Sequence, residues 1–127
     1  MAYEEPSENT QGIIEKIRNI IKEEKAVIGQ YQAGVGWEYS GEDISNETKA
    51  LNKELDNDDF QVIKCNVLHL VNNGTIHNRT GHLLIIPLFG SANFGPDEPV
   101  LRYHHIIQTR TIYGQNLDLI IVALKKK

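Results

Sequence analysis

The residues able to do chemistry are unevenly placed along this 127-residue chain. All five histidines lie in its second half, at His69, His77, His82, His104 and His105, and Cys65 is the single cysteine. An imidazole can move a proton near neutral pH or ligate a metal. A metal centre needs converging ligands, whereas neighbouring strand residues such as His104 and His105 leave the backbone on opposite faces. No other histidine has the spacing that helical metal ligands show, so no metal and no cofactor are expected. One thiol also rules out an intrachain disulfide or a cysteine cluster, and it fits a reducing compartment. Acid–base catalysis at one pocket histidine stays open, but spacing names no partner group for it. Ser91 sits in a Gly-flanked loop, yet no helix is expected after it to aim amides at a phosphate.

Carboxylates are the better lead. Asp97 and Glu98 stand between Pro96 and Pro99, two rings that restrict the backbone and hold both charges outward. Glu38 follows Trp37, the single tryptophan. Acids around an apolar hollow suit charge-steered recognition of a basic protein surface; the plain alternative is solvated surface charge. Three Asn-x-Thr triplets, at Asn46, Asn73 and Asn78, match the glycosylation pattern and read as chance.

Charge is as lopsided as the histidines. Residues 1–60 hold 14 acids and 6 bases, a balance of −8, and residues 61–127 hold 3 acids and 7 bases, a balance of +4. Three of those bases are the terminal Lys125, Lys126 and Lys127, so no extended basic footprint for nucleic acid is left. No apolar run approaches the roughly 18 residues of a membrane helix, and a soluble protein without a cleaved leader is expected.

The elements that must position these groups follow from periodicity. Residues 1–9 read as a flexible acidic arm, and residues 10–127 as one domain. From Gly12 to about Ala26, Ile13, Ile14, Ile17, Ile20 and Ile21 fall at helical spacing, with Ser7 or Thr10 as cap. Tyr31, Ala33, Val35, Trp37 and Tyr39 alternate with polar or small residues, which predicts a half-buried strand. A short helix over Asn46–Leu55, capped by Ser45, is expected to end in the acidic loop Asp56, Asp58, Asp59. Residues 60–72 and 75–88 read as a hairpin turning at Asn73-Gly74, with Gly81 as a bulge. After the loop 89–99, one strand is expected over Val100–Tyr113, showing Arg102, His104, Gln108 and Arg110 on one face and Leu101, Tyr103, Ile107 and Tyr113 on the other. A turn at Gly114-Gln115-Asn116 would lead into a last strand, Leu117–Leu124. The fold class predicted is α+β: an N-terminal helix and a short second helix on a curved antiparallel sheet, leaving a cone with an open mouth.

Four pieces of this order resemble the nuclear transport factor 2-like superfamily: Trp37-Glu38 with the short helix ending at Leu55, Phe60-Gln61-Val62-Ile63, Asp97-Glu98-Pro99-Val100-Leu101-Arg102-Tyr103-His104, and Asn116 with Val122-Ala123-Leu124. The likeness spans about residues 31–124. It implies a helix-lined cone, dimerised through the outer sheet face that carries Tyr103 or His104. It also implies a non-enzymatic carrier, in cytoplasm and nucleus, that binds the GDP form of the small GTPase Ran. On that likeness Trp37, Phe60, Ile63 and Leu119 would line the hollow, and Glu38, Asp97 and Glu98 would pair with Ran's bases. Phe-Gly nucleoporins are the further partner it implies, although the first helix has no tryptophan to meet them and the last strand lacks the family's Asn-Asp-aromatic signature. A small light chain of an mRNA-export receptor heterodimer would tolerate both departures. From another class, a small cone-fold isomerase, dehydratase, hydrolase or ligand-binding protein would need a carboxylate or histidine deep in the cone. The inward pattern offers mostly Tyr, Val, Ile and Leu, which favours carriage.

Overall fold

A computed structural model describes residues 5–29, 32 and 34–127. Over these residues the chain is α+β, two helices packed on a curved antiparallel sheet. The elements are α1 (Glu8–Lys22), β1 (Val27–Ile28), β2 (Gly36–Ser40), α2 (Glu42–Leu55), β3 (Phe60–Ile76), β4 (His82–Phe89), β5 (Asn93–Gly95), β6 (Glu98–Pro99), β7 (His104–Ile106) and β8 (Arg110–Lys126). Across the sheet the order is β1-β2-β3-β8-β4-β7, and the β5–β6 hairpin joins β8 through Asn93 and Tyr113.

Both helices start earlier than periodicity predicts, because their caps precede their apolar stripes. Ser7 Oγ accepts from the Thr10 N–H at 3.1 Å, so Glu8 and Asn9 are already helical. Pro6 is buried, and only residues 1–4 of the expected arm lie outside the described residues. Ile14 and Ile17 are buried, with Ile13, Ile20 and Ile21 packed around them. Arg18 ties α1 to the sheet, donating to the carbonyls of Pro87 and Leu88 at 3.2 Å each. In α2 the cap is Gly41, not Ser45. It has φ +100°, and a Cβ there would lie 2.8 Å from Val27 Cγ2. Ile44, Leu51 and Leu55 are its buried face.

The expected first strand survives only as β2. Tyr31 and Ala33 lie outside the described residues, and Gly34, at φ +77°, turns the chain just ahead of the strand.

The second half departs most from expectation. No hairpin forms at Asn73-Gly74; β3 runs through it for 17 residues and pairs with β8, from Phe60↔Lys126 to Ile76↔Arg110. Cys65 therefore lies opposite Val122, not His82, and Gly81 sits in the loop before β4 rather than in a bulge. The expected turn at Gly114-Gln115-Asn116 is likewise absorbed into β8. The two turn signals face one another: the register slips between Asn72 and Gly74, and Asn73 Oδ1 accepts from the Gly114 N–H at 2.9 Å. Asn73 and Asn116 take the left-handed backbone, φ +38° and +50°, that a turn would have used. One shared kink replaces two reversals, since residues 75–76 find long-range partners in 110–111.

The strand expected over Val100–Tyr113 is broken by residues 107–109 into β7 and the start of β8. Its predicted faces fail accordingly: Leu101 and Ile107 are exposed, whereas Tyr103 is buried.

Alternation then sorts the sheet into two covered faces. Val67, Leu84, Ile86, Leu88, Ile120, Val122 and Leu124 pack under the helices. Leu70, Leu83, Ile85, Leu117, Leu119 and Ile121 pack on the reverse, beneath Ala92, Phe94 and Val100. The nearly unbroken apolar run LDLIIVAL is what a strand buried on both faces requires. Each such Leu or Ile contributes about 1.5–3 kcal/mol.

Candidate functional site

The helix-covered face carries one polar cluster. In β8, Asp118 falls on the same side as Ile120, Val122 and Leu124, which sends a carboxylate inward. It is only 8% exposed, as are Tyr39 and His69. Tyr39 donates its hydroxyl to Asp118 Oδ1 at 2.6 Å, and His69 Nδ1 lies 2.9 Å from the same oxygen. His69 Nε2 faces the Asn116 side-chain amide at 3.3 Å. The Trp37 indole stacks on the imidazole, centroids 4.1 Å apart and planes within 6°. Burial, reinforced by Asp118 and opposed by a hydrogen bond from Trp37, raises the Tyr39 phenol well above its usual range. The hydroxyl therefore stays protonated and remains a donor. Three strands meet here, because Trp37 pairs with His69 and His69 with Asp118.

Chemically this is an imidazole–carboxylate pair with a phenol, the parts of an acid–base site. Its hydrogen bonds are turned inward: one carboxylate oxygen takes two donors, and both ring nitrogens have neighbours within the cluster. Such an arrangement holds side chains still.

A hollow of about 490 Å³ lies alongside, bordered by Gly36, Trp37, Glu38, Ser40, Leu68, His69 and Leu70, with Gly29, Gln32 and Val35 at its edge. Glu38 pairs with Leu68 and Gly36 with Leu70, so those side chains share the face opposite Trp37 and His69. Leu68 and Leu70 pack with the reverse-face cluster and give an apolar floor. Exposed Val35 and exposed Glu38 stand at the rim. Gly36 keeps the floor low: at φ +143°, a Cβ would come 1.8 Å from the His69 carbonyl oxygen.

The other expected site residues are not gathered around this hollow. Asp97 and Glu98 are exposed on the β5–β6 hairpin, where Asp97 (φ +61°) borders a separate hollow with Phe94, Pro96 and Tyr113. Glu98 forms an ion pair with Arg110, whose guanidinium lies 4.4 Å over the Phe94 ring. Leu119 is fully buried on the reverse face and cannot line an opening. Phe60 is buried at the far end of β3, its edge against His82 and His105. Ile63 is 49% exposed at a slip in the β3–β8 register. Of the residues expected to meet a second copy, Tyr103 turns into the helix-side core, and half-buried His104 packs edge-on to Phe94.

His104 and His105 do part to opposite faces. His105 joins His82 through a 3.1 Å contact between ring nitrogens. Burial first, then Arg110 for His104 and His82 for His105, lowers both imidazoles below their ordinary range. Among the described residues no group of three potential metal ligands converges.

No family model, curated protein or solved structure matches the chain.

Tyr39, His69, Asn116 and Asp118 escaped the reading of the sequence as a site. The expectation of an inward face without histidine or carboxylate is corrected by His69 and Asp118. One signal was available: a single acid inside LDLIIVAL has to find donors once that strand is buried.

Proposed function

We propose that this chain is a non-catalytic protein-binding module, with the β2–β3 hollow as the seat for an apolar side chain of a partner that presents a base to Glu38. The observation that carries this reading is the apolar floor of Leu68, Leu70 and Gly36 beneath a rim carboxylate that no salt bridge occupies among the described residues. An apolar anchor flanked by charge is how small interfaces concentrate affinity. The neighbouring imidazole–carboxylate pair is spent on internal hydrogen bonds, which favours binding over turnover.

The resemblance to the nuclear transport factor 2-like superfamily supplies the partner: the GDP form of Ran, with an mRNA-export receptor as the alternative and Phe-Gly nucleoporins as a further contact. On this reading the fold is the superfamily's cone, the working form is a dimer, and the protein moves between cytoplasm and nucleus. Titrating Ran-GDP into the wild type should give saturable binding, which Glu38→Lys abolishes with a stability change within about 0.5 kcal/mol. A flat wild-type titration removes Ran as the partner; equal affinity in the variant removes Glu38 from the contact.

A second reading draws on His69 and Asp118 themselves, which are a buried base and carboxylate of the kind an isomerase or dehydratase uses. A small carbonyl or hydroxy compound turned over by the wild type and not by His69→Gln would move the conclusion there.

A further inference from the structure

We infer that His69 is the positioning residue of the hollow, acting from the opposite face of the sheet. The inference rests on the reading of the hollow as a binding site. Two of the residues that border the hollow, Trp37 and His69, are a cross-strand pair whose side chains leave on the far side. There the indole lies flat on the imidazole. The imidazole is bridged to β8 by Asp118 and Asn116. The floor of the hollow is therefore the front of a two-strand segment whose back is bolted to a third strand. Gly36 makes the coupling tight, since its α-carbon sits directly against the His69 carbonyl with no room for a side chain. A rotation of the His69 ring would shift the Trp37–His69 rung and, with it, the spacing of Gly36, Leu68 and Leu70.

The consequence is that partner affinity depends on residues the partner never touches. The chain has one tryptophan, so its emission reports this rung alone. The probe is an acetylated pentapeptide amide with phenylalanine between two arginines, titrated into the full chain well below its melting temperature while Trp37 emission and acrylamide quenching are followed. Wild type should bind, with a shift in Trp37 emission. His69→Phe keeps a ring for the stack but loses both bridges, and should weaken binding about tenfold. Asn116→Gly tolerates the left-handed backbone and removes only the outer bridge; it should weaken binding about threefold, and it guards against misfolding of the buried variant. His69→Gln, which keeps a donor toward Asp118, should recover part of the loss. A purely structural role would lower the melting temperature and leave affinity unchanged in folded protein. Absence of wild-type binding overturns the hollow as a site. Wild-type binding with unchanged affinity in His69→Phe and Asn116→Gly overturns the positioning role and leaves the hollow standing.

Discussion

Replacing Asp118 by alanine strips the acceptor from two buried donors at once, the Tyr39 hydroxyl and the His69 Nδ1 N–H. Neither has room to turn to water, both residues being 8% exposed. A buried donor left unmet costs about 1–3 kcal/mol, so the two together set a loss of about 2–6 kcal/mol. Relief from burying the carboxylate offsets part of that, and we expect about 3 kcal/mol. Asp118→Asn keeps an oxygen in the same place and gives up only the charge assistance, for about 1–1.5 kcal/mol. For a chain of this size roughly 3–5 °C of melting temperature goes with each kcal/mol. The alanine variant should melt about 9–15 °C lower and the asparagine variant about 4–6 °C lower. Circular dichroism melts supply the measurement, and urea titrations with an unchanged slope would confirm that only the native state is affected. An alanine variant within about 1 kcal/mol of wild type would refute the argument. Equal damage from alanine and asparagine would too, since it would mean the acceptor oxygen does not matter.

Gly36→Ala should be among the most damaging small substitutions in the chain, at about 3 kcal/mol or more, because the added carbon meets a backbone oxygen that cannot move without unpairing β2 from β3. Gly81→Ala is the control: its φ is +94° but nothing lies within 4 Å, so only backbone strain of about 1–2 kcal/mol is expected in the same melts. The two lowered imidazoles, His104 and His105, give a pH dependence with a definite sign. Below about pH 6.5 the unfolded chain takes up protons that the folded chain still refuses, so stability should fall as pH drops and be insensitive to these groups above that range. Urea midpoints at neutral and mildly acidic pH test this; His105→Phe should flatten the slope, and a stability that rises on acidification through their titration would count against it. Burial pushes the Cys65 thiol up to about 12, so the folded protein should resist iodoacetamide at mildly alkaline pH and react only after denaturation. Rapid labelling of folded protein would show that β3 opens locally.

What could be read from the sequence was whatever its neighbours along the chain decide. The isoleucine stripe of α1, the Ile44–Leu51–Leu55 face of α2 and the α+β class with helices on one side all follow from short-range spacing. Helix starts were displaced by four residues because a cap such as Ser7 or Gly41 stands ahead of the apolar pattern that betrays the helix. In the candidate site, alternation correctly separated Trp37 from Glu38 by face. It could not say that Leu119 would be sealed beneath the 92–106 segment, or that Glu98 would be claimed by Arg110, because both depend on how a Gly- and Pro-rich loop folds back.

The strands failed for a single physical reason, and it is the reason the polar cluster exists. Asn73-Gly74 and Gly114-Gln115-Asn116 are strong local instructions to reverse, and in isolation each would make a hairpin. Set opposite one another, each satisfies the other's turn chemistry: the Asn73 amide takes the Gly114 N–H, and both strands bend together instead of reversing. Long pairing between β3 and β8 then follows on both sides of the kink, 17 residues against 17. That register carries His69 opposite Asp118 and brings Asn116 to the other nitrogen of the same ring. Had the two hairpins formed, β3 would have paired with β4, and Asp118 would have entered an apolar layer with no donor. The kink is thus what makes an acid tolerable inside LDLIIVAL, and the bridge it permits from β8 through His69 to Trp37 is what stiffens the rung behind the hollow.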